Sequence, residues 1–282
     1  ARGAAELLQR ELERTDGDLR KAKLHAELGA LYATRLEDPR RASESFDAAL
    51  ALDPSSFEAA RGLGDMAFAR GDAAGAAALY EPLLSRTGDL DKEVAAEICV
   101  RTGDAFRDAG AWAKAQRAYL NARSFAPKDR SVLNKVAEVT FEAGEADEAA
   151  EFYRQLLKEH GADITGAERG RMLHRCGDAL RRSGEHKEAE KLLKEASELL
   201  PEDDAVLDAL GSVYRDSGNH EKFITMSRHR MDGLSDAKRF ALLVEIGDAQ
   251  QGHLGDRQKA AKTYVEALEI VPDDRNLLTK LM

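Results

Sequence analysis

The sequence predicts an all-α protein built as a stack of two-helix repeats, and three observations carry that reading. Ala, Leu, Glu, Arg and Asp dominate a 282-residue chain that holds only 6 prolines and 6% aromatics, a composition that favours helix throughout. A small residue recurs at Gly29, Gly64, Gly103, Ala137, Gly177, Gly211 and Gly247, with Asp next at 65, 104, 178 and 248. The intervals are 35, 39, 34, 40, 34 and 36 residues, the length of a helical hairpin with its connection. Turn residues complete the pattern: Gly71, Gly110, Gly144, Gly184, Gly218 and Gly255 fall inside the hairpins, while Pro54, Pro127, Pro201 and Pro272 end second helices. The first hairpin uses Asp38-Pro39 for its turn.

Taken in order, residues 1–14 read as a second helix whose mate is missing. Seven hairpins follow near 21–54, 55–88, 91–127, 128–161, 164–201, 202–232 and 235–272, and residues 273–282 begin a further helix. All of this is expected to form one domain, 1–282. The sixth hairpin departs most, with Phe223 and Ser227 where alanine and an aromatic are expected. Small residues let paired helices approach, and Leu, Tyr and Phe at helical spacing fill the gaps between units. No hairpin buries its own apolar stripe, so stability has to come from neighbours.

These residues resemble the tetratricopeptide repeat along almost the whole chain. On first helices the likeness rests on Leu28-Gly29 with Tyr32, Leu63-Gly64, Gly103 with Phe106, and Leu210-Gly211 with Tyr214. On second helices it rests on Ala42, Phe46, Ala49, Pro54, on Ala115, Tyr119, Ala122, Pro127, and on Ala260, Tyr264, Ala267, Pro272. The resemblance implies an α-solenoid, a right-handed superhelix of about seven units plus partial helices at both ends, of bacterial type. It also implies a concave face lined by first helices.

A longer period lies above the hairpin. Gly29, Gly103 and Gly177 are 74 residues apart, and Gly247 follows 70 residues later. Standard junctions therefore alternate with longer ones at 80–103 and 153–177, and residues 4–29 and 222–247 follow the same plan. The extra residues amount to about one and a half helical turns. They are expected to lengthen flanking helices and to offer contacts at one edge.

Chemistry is read as absent. Histidines stand at 25, 160, 174, 186, 220, 229 and 253 with no HExxH or HxxxH pair, so no metal is expected. Gly62-Leu63-Gly64 lacks the third glycine of a dinucleotide loop, no GxxxxGK[ST] loop occurs, and no nucleophile elbow is present. The expectation is no enzyme, no catalytic residue and no cofactor. A net charge of −10 disfavours nucleic acid and anionic membranes, and no apolar run is long enough for membrane insertion. Cys99 and Cys176 read as core residues, which favours a reducing, cytoplasmic compartment. The chain opens at Ala1 without a charged-then-apolar leader, leaving removal of a targeting segment open.

Projecting the concave register places Arg61, Asp65 and Phe68 on one face, followed by Asp104 and Arg107, by Asn134, Glu138 and Phe141, by His174, Asp178 and Arg181, and by Arg215. Both signs of charge suit a protein or peptide strip, with Phe68 and Phe141 as apolar anchors. The simpler alternative makes Asp104 with Arg107 and Asp178 with Arg181 intrahelical pairs and buries both phenylalanines. Arg169, Arg171, Arg175, Arg181, Arg182 and His174 form the most basic stretch, suited to an acidic or phosphorylated segment. Asparagine ladders and carboxylate-gripping residues of specialised tetratricopeptide proteins are missing: of four asparagines, only Asn134 projects onto this face.

The function expected is a non-catalytic interaction scaffold, excised from a larger assembly protein. The alternatives are a spacer that self-associates through its ends as a homo-oligomer, and a regulatory domain of a larger enzyme.

Overall fold

The computed structural model describes residues 1–282, apart from the side chain of Asp232. It divides into two compact units, Ala1–Glu148 and Ala149–Met282. Among the described residues there are sixteen α-helices and no strand.

The first unit runs α1 (Arg2–Arg14), α2 (Asp18–Thr34), α3 (Pro39–Leu52), α4 (Phe57–Ala69), α5 (Ala73–Tyr80), a 3₁₀ stretch (Glu81–Asp89), α6 (Lys92–Asp108), α7 (Trp112–Phe125) and α8 (Arg130–Glu142), and ends in the first turn of α9 (Ala146–His160). Helix α1 packs on α2, where Ala5 joins Ala26, Leu28, Tyr32, Phe46 and Ala59 in one buried cluster. The second unit holds the rest of α9, α10 (Gly166–Arg182), α11 (His186–Leu199), α12 (Asp204–Asp216), α13 (His220–His229), a 3₁₀ turn (Met231–Gly233), α14 (Asp236–Asp248), a π-helical turn (Ala249–His253), α15 (Arg257–Ile270) and α16 (Arg275–Leu281). Leu173, Ala196 and Val206 centre one of its clusters.

Hairpin turns are set by backbone chemistry. After α4, Gly71 takes φ 79°, a left-handed conformation free of steric cost only for glycine, and the Asp72 amide donates back to the Ala67 carbonyl at 3.0 Å. Gly110 repeats this at φ 74°, with the Ala111 amide on the Phe106 carbonyl at 2.8 Å. The first hairpin has no turn glycine, and Glu37 takes the positive φ of 51°. Asp38 then caps α3 by accepting from the Arg41 amide, with Pro39 at the first helical position. Asp129 and Asp203 cap α8 and α12 in the same manner.

The long period is visible in helix lengths. Helices α2, α6 and α10 begin 74 residues apart and each has 17 residues, whereas α4, α8 and α12 each have 13. The extra junction residues therefore extend α6 and α10 by about one turn, whereas α14, which follows the junction at 222–247, has 13 residues and runs on into the π-helical turn.

Each close pair of helices turns on one contact. A Cβ placed on Gly64 would stand 2.6 Å from the Tyr80 ring, on Gly103 2.4 Å from Tyr119, and on Gly247 2.3 Å from Tyr264. Phe46 covers Gly29 and Leu193 covers Gly177 at the same range. Tyr80, Tyr119, Tyr153, Tyr264 and Phe46 are also the bulkiest fully buried side chains. Gly103→Ala is expected to lower stability by about 1–3 kcal/mol through overpacking against Tyr119. Gly211→Ala, whose Cβ would meet only the tip of Met226 at 3.0 Å, should stay within about 1 kcal/mol of the parent. Urea midpoints of the two variants test this, and equal losses would remove the basis for a ring-on-glycine contact.

Candidate functional site

In the first unit, consecutive first helices line two clefts. One, of about 670 Å³, is walled by Ala30 and Ala33 of α2, by Phe57, Arg61, Asp65 and Met66 of α4, and by Leu90 and Val94 at the start of α6. The other, of about 610 Å³, lies between Phe68 of α4, Glu97, Val100, Arg101 and Asp104 of α6, and Ser131 and Val132 of α8.

A continuous polar chain separates apolar walls. Tyr80 Oη donates to Asp65 Oδ1 at 2.5 Å, and Arg101 Nη1 reaches the same oxygen at 2.5 Å from the next hairpin. Arg101 also pairs with Glu97 at 2.8 Å, and Glu97 receives Arg61 at 2.8 Å. One hairpin further on, Asp104 accepts Tyr119 Oη at 2.6 Å and Lys135 Nζ at 2.5 Å. In the second unit Asp248 accepts Tyr264 Oη at 2.6 Å and is also bonded by Lys280. Burial, and then the hydrogen bond to a carboxylate, push all three phenols above their ordinary range.

The expected site residues divide accordingly. Arg61, Asp65, Phe68 and Asp104 come together on the two clefts, with Phe68 38% exposed at the rim. Arg107 bonds Asp108 at 2.8 Å and lies 3.4 Å from Asp104. Asn134 donates to Glu138 one turn along α8 at 3.0 Å, and neither is among the lining residues of these two clefts. Phe141, expected as an apolar anchor, is instead 5% exposed. The ring is buried with the core face of α8, so it offers a partner almost no surface. In the second unit Asp178 is held by Arg181 at 2.9 Å and Arg182 at 3.0 Å, and Arg181 reaches Asp216 at 2.7 Å. Burial lowers the pKa of His174. Arg215 pairs with Glu245 at 2.6 Å. The basic stretch of α10 is thus largely matched by carboxylates, Arg169 taking Glu195 at 2.8 Å.

Glu97 and Lys135 are absent from the sequence reading, and Arg101, which the sequence puts at a groove position, is not among its site residues. Their signal lies one repeat away: Arg101 stands 36 residues after Asp65 and Lys135 31 after Asp104, and such a match shows only when successive hairpins are laid in register.

Cys99 and Cys176 are both buried, which pushes their thiols up to about 11 and about 12. Among the described residues no group of three or more His, Cys, Asp or Glu side chains is placed to hold a metal ion, and no helix is long and apolar enough to cross a membrane.

Family models described as tetratricopeptide repeat match residues 27–90 and 129–202. No curated protein matches the chain. Among solved structures, MamA protein is 25% identical, with 64% of this chain covering 94% of that one at a TM-score of 0.53. YrrB, a tetratricopeptide-repeat protein with an unusual peptide-binding site, is 16% identical over 64% of this chain and 89% of its own, at 0.52. A tetratricopeptide-repeat protein of Parabacteroides merdae is 15% identical over 92% of this chain and 97% of its own, also at 0.52. The last two likenesses are of fold. Stacked helical hairpins whose first helices line open clefts define an α-solenoid of the interaction-module class. Both matched stretches, residues 27–90 and 129–202, are tetratricopeptide repeats.

Raised phenol pKa values make the folded chain hold protons that the unfolded chain releases above about pH 10. The contribution of Tyr80, Tyr119 and Tyr264 is therefore complete below about pH 10 and is lost as pH climbs toward the folded values. A triple Tyr→Phe variant should start less stable at neutral pH and fall less steeply between about pH 9 and 11. Urea titrations of both proteins across that range measure the slopes, and parallel slopes would exclude this linkage.

Proposed function

We propose that the chain is a non-catalytic scaffold that receives an extended peptide segment along the first-helix face of its first unit. The family is one of protein-interaction modules. The observation that carries the finer reading is the pair of clefts, each with apolar walls, on either side of the Arg61–Glu97–Arg101–Asp65 chain. An extended strand presents alternate side chains to one surface, so two apolar side chains can enter the clefts. The backbone between them meets half-buried charged groups that already hold one another in place. Fixed, mutually neutralised charges do not need to be ordered on binding, which lowers the entropic cost of association. MamA and the YrrB fold, the latter from a protein with a peptide-binding site, add support of a general kind.

A peptide selected by display on the intact chain supplies the probe. Phe68→Ala should weaken it by about tenfold, which is about 1.4 kcal/mol, with helicity and urea midpoint unchanged. Unaltered affinity in Phe68→Ala and in Val94→Asp, with both proteins folded, would move the binding surface elsewhere. A self-associating spacer is the second reading, favoured by Leu7 and Leu19, which are 66% and 73% exposed on adjacent helices α1 and α2. Sedimentation velocity separates the two: a monomer at every concentration that still binds the peptide leaves only the scaffold.

A further inference from the structure

Hairpin α12–α13 breaks the packing rule that the others keep. Tyr80, Tyr119 and Leu193 each lie sixteen residues after the glycine they cover, and the residue at that position after Gly211 is Ser227. Space over Gly211 is left to the flexible tip of Met226 at 3.0 Å and the edge of the Phe223 ring at 3.7 Å. A cleft of about 260 Å³ opens there, walled by Phe223, Met226, Leu234 and Leu242 and reached by Arg215 and Arg230.

Two buried polar atoms of its lining residues are unmatched. Ser227 is wholly buried, and its Oγ has no hydrogen-bond partner among the described residues. The Arg230 side chain is 11% exposed; Nη2 is bonded to Asp208 at 2.6 Å, but Nε is buried without a partner. Native interiors rarely leave such groups unpaired, because each forfeits its bond to water. Arg230 Nε can only donate, so the missing group carries an acceptor oxygen. An anion is a poor fit: Asp208 and Glu245 line the same cleft, each already paired with the cation nearest it. A purely apolar group would fill the walls and leave both polar atoms unmet. An apolar cavity of about 150 Å³ already admits a benzene ring, so this one has room for a phenol.

We propose that the α12–α13 cleft is a socket for a tyrosine side chain presented by a partner polypeptide. The ring takes the place that Tyr80, Tyr119 and Tyr264 occupy in their own hairpins, and the phenol oxygen is the acceptor for Arg230 Nε. This socket lies within the second unit and is independent of peptide binding in the first.

The test uses the full chain and p-cresol, the tyrosine side chain as a free molecule, followed by NMR shift changes at Met226 and Phe223. We expect saturable binding, roughly fivefold tighter than toluene, the size of one hydrogen bond, and weaker binding of benzoate. N-acetyl-tyrosinamide should bind at least as well as p-cresol; its exclusion while p-cresol binds would limit the site to free phenols and overturn the partner. Ser227→Tyr, which restores the ring from within, should abolish p-cresol binding and raise the melting temperature. Ser227→Leu, which copies the packing of Leu193 in α11, provides the same readout should the tyrosine variant fail to fold. Arg230→Lys, which lacks Nε, should bind p-cresol and toluene equally. Absence of p-cresol binding, undiminished binding in a folded Ser227→Leu, or a preference for benzoate would each overturn the socket.

Discussion

Close approach of a ring to a glycine is the contact on which four of the hairpins depend, those of Gly29, Gly64, Gly103 and Gly247. Helices of a pair pack only as near as the side chains between them allow, and the glycine removes one side chain at the crossing. A tyrosine or phenylalanine from the second helix then fills the vacancy, as Tyr119 does over Gly103. It is fully buried there, so a large apolar area leaves water at a single point. The arrangement makes glycine in mid-helix tolerable. Its propensity cost of about 1 kcal/mol is offset by packing that no other residue permits.

The phenol oxygen ties this contact to the next hairpin. Once Tyr80 is buried its hydroxyl needs a partner, and the residue beside the glycine, Asp65, is within reach across the same crossing. That carboxylate is in turn half-buried and needs a cation. Arg101, from the following hairpin, supplies it. Gly103, Tyr119, Asp104 and Lys135 repeat the sequence of dependencies, as do Gly247, Tyr264, Asp248 and Lys280. Where the ring lacks a hydroxyl, the acid changes. Phe46 faces Gly29-Ala30, with no aspartate, and Leu193 faces Gly177-Asp178, whose carboxylate turns to Arg181 and Arg182 on its own helix. Packing within a hairpin and coupling between hairpins therefore share one residue. This is how a one-dimensional array acquires specific register, beyond the unspecific burial of apolar stripes.

How much of this was readable follows from the range of each interaction. Turn glycines, proline stops and the 74-residue period depend on local backbone chemistry and on spacing, and the helices they define are those observed. Arg61, Asp65, Phe68 and Asp104 were placed on a common face because residues three and four apart share a helix side. Phe141 is assigned to that face on the same ground. Spacing assigns a side, but whether a ring on that side is buried depends on the neighbouring helix, and Phe141 is buried. Glu97 and Lys135 are absent from that reading, and Arg101 from its site residues, since each acts on an acid or a cation one hairpin away. Aligning the hairpins against one another, as well as finding their period, would have exposed the recurring acid and its later cation.

Alternation of junction length shapes the clefts themselves. Helix α4 has 13 residues and α6 has 17, and the surplus comes from the long junction that follows the 3₁₀ stretch. Were all first helices equal, their ends would lie level and the space between them would be a shallow strip. Leu90, just before α6, and Glu93 and Val94 in its first turn stand at this end, where Leu90 and Val94 wall one cleft and Glu93 the other. Glu97 and Arg101, one and two turns further along, then fall opposite Arg61 and Asp65, which fixes the polar chain between the clefts. A change in connection length, tolerated because it lies between packed units, thus converts a uniform stack into a surface with two apolar recesses and a charged divide.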